Sequence, residues 1–427
     1  MKRGGELLRH RDFVRLWGAQ TVSQLGSQVS NLALPLVAVL VLHASAFRVA
    51  LLGTVEMLPF LLFALPTGVW VDRMARRPVL VVADVLRAAA LASIPIVAAV
   101  ASLTIWQLYA VGFVVGTLTV FFDVAYQSYL PSLVGRTHLV EGNAKLELSR
   151  SAAQIAGPGA GGVLIGAITA PYAIAVDAVS FLWSALLVGR IRAREPVPER
   201  DENRNMLREV GEGLRYLLHD PRWRPFAAYV AIYNFGGSIL FSIYVVYAVR
   251  TLHLSPGELG LVFSLGNLGW LAGALVVRRV GIRFGAGPTM IVCGLLAGAP
   301  NFLVPVAPRS LAIPFLVTAQ VVIALAIVVF NVTGISLMQR LTPDRILGRL
   351  NASRRWIVWG TQPLGALVGG ALATTIGLRP TLVTGALITT LCVAFLFVKP
   401  IRALRDVPEE PEPSSETLLG ATVAMDA

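Results

Sequence analysis

Four carboxylates stand inside long apolar stretches of this 427-residue chain: Glu56, Asp84, Asp123 and Asp177. A charge in an apolar medium is costly, so each such residue is a candidate proton site, ion-pair partner or packing device. Asp84 has Arg87 three residues on, the spacing of neighbours on one helix face, and reads as a self-paired couple. Asp123 lies at the end of its stretch, within reach of a loop carrying Arg73, Arg76 and Arg77. That leaves Glu56 and Asp177 as the groups best suited to taking up and releasing a proton. Gln20, Gln24, Ser27, Gln28 and Asn31 fall within a narrow arc at helical spacing, a polar stripe that belongs against a cavity or a partner helix. Tyr229, Tyr233, Tyr244 and Tyr247 share another face, suited to stacking on an amphiphile or to packing. The second half of the chain offers Asn234, Asn267, Gln320 and Asn331 but no comparable acid. Of these, Gln20, Gln24, Gln28, Asn31, Tyr233, Asn234, Gln320 and Asn331 are the candidates for a substrate cavity. The five histidines lie mostly in or beside loops without paired ligand spacing, and Cys293 and Cys392 sit in apolar runs with neither a disulfide framework nor metal spacing. No metal, no cofactor and no enzymatic constellation is expected.

The scaffold that must position these residues is written in the composition. Hydrophobic residues make up 56% and charged residues only 14%, with a mean hydropathy of +0.70, whereas a soluble domain is about 25% charged. Apolar runs fall at 13–42, 47–71, 78–101, 103–124, 146–168, 171–189, 225–250, 257–277, 287–307, 311–337, 354–376 and 379–398. Each is near the roughly 20 residues that a membrane-crossing helix needs, and the period-two alternation of a membrane barrel is absent. The first run is too long for the roughly 7–15-residue core of a cleaved signal peptide. Twelve transmembrane helices in an all-α integral membrane protein are therefore expected.

The net charge of +12 follows the same plan and calls for no nucleic acid. One set of loops holds Arg73, Arg76, Arg77, Arg136, Lys145, Arg278, Arg279, Arg283, Arg340, Arg345, Arg349, Arg354 and Arg355, while the alternate loops hold only Arg48, Arg250, Arg309 and Arg379. The positive-inside bias then puts both termini in the cytoplasm of a multi-pass cell-membrane protein. Arginines and acids interleave between Arg190 and Arg224, where Leu207, Val210, Leu214 and Leu217 mark an amphipathic helix along the membrane surface. Domains are expected at 1–190 (six helices), 191–222 (basic linker with interfacial helix), 223–402 (six helices) and 403–427 (a Pro- and Glu-rich tail expected to be disordered).

The chain resembles itself at an offset of 208: Ser128 meets Ser336, Asn143-Ala144 meets Asn351-Ala352, Gln154 meets Gln362, Gly157 meets Gly365, and Gly161-Gly162 meets Gly369-Gly370. Two pseudo-symmetric six-helix bundles enclosing a midplane site are a transporter architecture. The loop after the second run reads Gly68-Val-Trp-Val-Asp72-Arg73-Met-Ala-Arg76-Arg77. It resembles the G-x-x-x-D-R-x-x-R-R signature of the major facilitator superfamily. That resemblance implies a cytoplasmic gate of Gly68, Asp72, Arg73, Arg76 and Arg77, with Asp123 and Arg136 beside it. Asp72 would accept hydrogen bonds that hold the two halves closed. The fifth run contains Gly157-Pro158-Gly159-Ala160-Gly161-Gly162, similar to the family's antiporter motif, with Ala153 where a glycine is usual. There a kink and close backbone approach are implied at Gly157, Pro158, Gly161 and Gly162.

Arg11-Asp-Phe-Val-Arg-Leu-Trp17, Ser128-Tyr-Leu-Pro131 and Leu347-Gly348-Arg349-Leu-Asn351 look like the macrolide-efflux-type branch, also called drug:proton antiporter-3 or transmembrane secretion effectors. Gln28 stands where members often carry an acid, so coupling through that position is not implied. The resulting expectation is a secondary active transporter, taken as a monomer, exporting a hydrophobic or amphiphilic small molecule in exchange for protons by alternating access. A siderophore exporter is the alternative, favoured by any cavity-facing arginine, of which the sequence places none. A non-transporting membrane sensor or scaffold is a further alternative.

Overall fold

The computed structural model describes residues 6–193, 206–221, 223–342 and 344–398. The expected tail and most of the linker lie outside them, as do the side chains of Asp72 and Arg136. Among the described residues every regular element is helical. The helices are α1 (Arg11–Leu36, continued by one wider turn, Val37–Val41), α2 (Ala46–Asp72), α3 (Arg76–Val100), α4 (Ile105–Gly135), α5 (Thr137–Ile168) and α6 (Ala170–Gly189). After the linker come α7 (Met206–His219), α8 (Trp223–Arg250), α9 (Pro256–Phe284) and α10 (Ala286–Val306). The chain continues through α11 (Ala312–Leu341), α12 (Asp344–Thr375) and α13 (Leu378–Phe397).

Helix starts are set by local chemistry. His10 Nδ1 accepts from the Phe13 amide at 3.1 Å, Thr104 Oγ1 from the Gln107 amide at 3.3 Å, and Ser255 with Glu258 forms a reciprocal capping box on α9. Gly135, at φ 70°, turns the chain between α4 and α5, a conformation that glycine adopts without steric cost. Both helices reach beyond the apolar runs, 103–124 and 146–168, that mark them in the sequence. Their polar turns, with Tyr126, Gln127, Asn143 and Glu147, face an internal cavity rather than lipid.

Eleven helices among the described residues are long and apolar enough to cross a membrane. The twelfth crossing element, α12, is just as long but carries Arg354, Arg355 and Gln362. It packs between α8 and α2, against which part of this polar set lies. Leu214 and Leu217 of the amphipathic α7 pack into a core with Trp223 and Phe226, so the helix docks on α8 and α12.

The packing divides the molecule into two halves. In the first, α1 lies against α5 and α6, α3 against α6, and α2 against α4; in the second, α8 lies against α12 and α13, and α11 against α9 and α10. At the end where the described residues begin and finish, here the terminal end, each half has its own core. Phe13, Leu16, Leu80, Phe122 and Val188 form one, and Trp223, Phe226, Met290, Phe330 and Met338 the other. At the far end a single core draws on both halves, including Leu36, Leu52, Ile94, Ile243, Tyr247, Leu259 and Leu382. The molecule is thus fused at the far end and divided at the terminal end.

Candidate functional site

The fused end is held by two seams. Along α5 and α9 the main chains touch: a methyl group on Gly162 would lie 3.1 Å from the Cα atoms of both Gly257 and Gly260, and closer still to the Pro256 carbonyl. Just above, Ser264 Oγ accepts from the Gly159 amide at 2.7 Å, and Asn267 Nδ2 donates to the Gln154 carbonyl at 2.5 Å. Along α2 and α12, Gly370 meets Ala50 and Phe47, Thr54 Oγ1 donates to the Pro363 carbonyl at 3.5 Å, and the rings of Phe60 and Trp359 meet at 5.8 Å. Arg250 Nη2 spans the two halves to the Ala44 carbonyl at 2.7 Å. The glycine-rich motif of α5 therefore has two faces. A side chain at Gly157 or Gly161 would strike Gln28 or Val29 of α1, whereas Gly162 and the Pro158 carbonyl abut α9.

Above the seams, in the first half, lies a cavity of about 860 Å³. Gln20, Gln24, Gln28 and Asn31 all line it, together with Ser23, Ser27 and Ser30. The cavity is lined by α1 from Gln20 to Leu34, α4 from Gly112 to Gln127 and α5 from Asn143 to Gln154, with Glu56, Arg87 and Asp177 contributed by α2, α3 and α6.

Glu56 and Asp177 both border the cavity, in different states. Asp177 is 2% exposed. It accepts from Ser180 Oγ at 3.1 Å and from Ser27 Oγ at 3.5 Å, in the notch left by Gly26. Glu56 fits a notch that Gly112 and Gly116 leave in α4, and its Oε1 has no hydrogen-bond partner among the described residues. Asp84 and Arg87 form the expected ion pair, 0% and 4% exposed. The guanidinium lies between the rings of Phe122 and Phe181, 4.3 and 4.1 Å from their centroids.

Asp123, expected at the gate, instead faces the cavity, with Arg87 and Arg150 the cations that act on it. Of the gate residues, Gly68 lies in the last turns of α2 and Arg73 follows its end. Arg76 and Arg77 open α3, and Arg77 donates to the Gly189 carbonyl at the end of α6 within the same half. Asp72 closes α2, and its side chain, like that of Arg136, lies outside the described residues.

A second recess, of about 400 Å³, lies in the second half. Tyr233, Asn234 and Asn331 line it, and Tyr229 stacks on Tyr233 with ring centroids 5.7 Å apart. Tyr244 and Tyr247 lie elsewhere, buried in the far-end core. Gln320 is displaced from the expected cavity too: it fills the space where Gly266 of α9 has no side chain, a helix-packing position that its polarity does not reveal. The sequence also gives no sign that Arg87 and Arg150 line the first cavity, or Arg354 and Arg355 the second. Two of them stand in a stretch that looks like an ordinary basic loop, and the order of charges alone does not separate such a stretch from the start of a helix. Among the described residues no cluster of His, Cys, Asp and Glu is arranged to hold a metal ion.

Residues 6–426 match the family model described as transmembrane secretion effector. The chain is 26% identical over 404 residues to the multidrug efflux pump Tap of Mycolicibacterium fortuitum, covering 90% of this chain and 95% of that one. It is 22% identical to macrolide efflux protein A of Streptococcus pyogenes, covering 92% and 97%. The fold is shared with the nucleoside transporter NupG (TM-score 0.72, 12% identity, 91% of this chain and 100% of that one). A bacterial homologue of the lysosomal transporter Spinster, solved in an inward-facing and occupied conformation, is similar as well (TM-score 0.70, 15% identity, 93% and 98%).

Proposed function

Because the chain belongs to the transmembrane secretion effector family of major facilitator transporters, we propose that it exports a hydrophobic or amphiphilic small molecule, a drug or secondary metabolite, in exchange for protons. It is a multi-pass membrane transporter and not an enzyme. The observation that carries the reading is the polar cavity of the first half, built on a glutamine stripe and bordered by carboxylates, above an end fused from both halves. A polar pocket with two seams beneath it fits what alternating access asks of one of its states. Efflux as the direction rests on the names of the related pumps.

By the positive-inside bias the terminal end faces the cytoplasm of the cell membrane, and this conformation is inward-open. The loop from Gly68 to Arg77 then latches the cytoplasmic side in the opposite state. Glu56 is the better of the two coupling groups. Asp177 spends its lone pairs on serines of α1 and α6, whereas Glu56, on α2 and packed against α4, has an unengaged oxygen at the edge of the cavity. A proton on Glu56 neutralises the α2–α4 contact that borders the cavity, which links proton entry from outside to the exit of substrate. The siderophore-exporter reading stands second, favoured by Arg87, Arg150, Arg354 and Arg355 along the recesses.

Inside-out membrane vesicles loaded with a panel of fluorescent amphiphiles test the proposal. Wild type accumulates at least one dye when the lumen is acidified and stops when the gradient is collapsed, and Glu56→Gln loses the gradient dependence. Dye movement indifferent to the gradient in the wild type would overturn proton exchange, and no movement of any amphiphile would overturn export.

A further inference from the structure

The recess of the second half is chemically unlike the cavity of the first. Its walls are aromatic, with Tyr229, Tyr233, Trp270, Phe330 and Trp359 among them, and none of its lining residues is acidic. Into it are set two adjacent cations, Arg354 and Arg355, which repel one another. The Nε of Arg354 is shut off from solvent and has no hydrogen-bond partner among the described residues.

Arg87 shows what a buried guanidinium in this protein ordinarily receives: a carboxylate, Asp84, and two ring faces. Arg354 has none of these among the described contacts. Arg354 is half-buried and Arg355 exposed; a guanidinium partly withdrawn from water without a counter-charge is costly, and its planar fork of donors matches a carboxylate, sulfonate or phosphate group. The volume, about 400 Å³, is within the roughly 300–1,000 Å³ range of small-molecule sites.

We propose that this recess is an anion subsite of the transport pathway, in which Arg354, with Arg355 beside it, holds an acidic group of the transported molecule while the surrounding rings hold its planar or apolar body. The inference rests on the transporter reading and narrows it to amphiphilic organic anions. Its position adds a consequence. Trp359, one turn along α12 from the arginines, lines the recess and touches Phe60 of the other half, so an occupant bears directly on the seam.

The same chemistry is offered by the phosphate of a lipid headgroup, and the experiment separates the two sources. Full-length protein is placed in nanodiscs of phosphatidylcholine and, separately, of phosphatidylcholine with phosphatidylglycerol. Binding of pyrenebutyrate and of its uncharged methyl ester is read by energy transfer from the recess tryptophans. Wild type is expected to bind the acid at least tenfold more tightly than the ester, with affinities within twofold in the two lipids. Arg354→Gln is expected to lose at least tenfold for the acid, about 1.4 kcal/mol, and less than twofold for the ester. Arg354→Lys, which keeps the charge and is the milder change, retains part of the preference and serves should the glutamine variant fail to fold.

Equal binding of acid and ester by the wild type overturns the subsite. An equal loss for both probes in Arg354→Gln does the same. Abolition of acid binding by phosphatidylglycerol assigns the recess to lipid and overturns its role in transport. Vesicles that move the ester and the acid alike sink this inference and leave the export reading standing, whereas vesicles that move neither these probes nor any amphiphile of the dye panel sink that reading.

Discussion

Gly162→Ala gives the sharpest test of how the two halves are held together. The added carbon would lie 3.1 Å from two Cα atoms of α9 and inside contact distance of the Pro256 carbonyl. Carbon pairs rest at about 3.5–4.0 Å, so the deficit is about half an ångström or more, against main chain that has no rotamer to change. Overfilling of this kind costs about 1–3 kcal/mol. It arises only while α5 and α9 are in contact, so it penalises the far-end-closed state and not its alternative. A difference of about 1–3 kcal/mol is about a 5- to 150-fold change in the balance of states. The reporter is Thr54→Cys, a buried position on the other seam, with the buried Cys293 and Cys392 replaced by alanine. Its labelling by a membrane-impermeant maleimide from the far side should speed up at least fivefold when Gly162→Ala is added. Unchanged labelling, with a normally folded protein, would refute the claim that this contact sets the closed state.

Glu56→Gln should abolish proton-gradient dependence in the vesicle assay while leaving folding intact, whereas Asp177→Asn should lower thermal stability and keep the gradient dependence; the reverse pattern would exchange their roles. Asp84→Asn strands Arg87 at 4% exposure and should cost about 3–5 kcal/mol, seen as a large fall in melting temperature in detergent. Arg250→Gln removes the charged hydrogen bond to the Ala44 carbonyl, worth about 1.5–3 kcal/mol. It should raise labelling at Thr54→Cys by roughly tenfold or more, and no change would show that the bond carries nothing across the halves.

What the sequence discloses follows from what its periodicities encode. The stripe from Gln20 to Asn31 was legible because helical spacing fixes a face, and a polar face among apolar ones has few places to go. Asp84 and Arg87 were legible because their partnership is local. Gln320 was not, since a polar residue serving a glycine notch on a neighbouring helix looks the same in one dimension as a residue lining a pocket. The polar turns of α4 and α5 look like loop in the sequence because hydropathy cannot tell water outside the membrane from a cavity within it. Arg354 was hidden by the rule that reveals topology: an arginine at the start of a crossing helix is expected on charge bias alone, and only the surrounding Tyr229, Trp270 and Trp359 distinguish it.

The meeting of α5 and α9 at Gly162 and Gly260 has a consequence for how such a molecule can change over generations. Where bare main chain rests on bare main chain, there is no graded series of side chains to try, and any new atom is a large step. Selection by a new toxic compound therefore has little room to work at this joint. Broadened or altered cargo choice should accumulate instead in the aromatic walls of α8 and α12, where size and polarity can drift in small increments without disturbing the fulcrum.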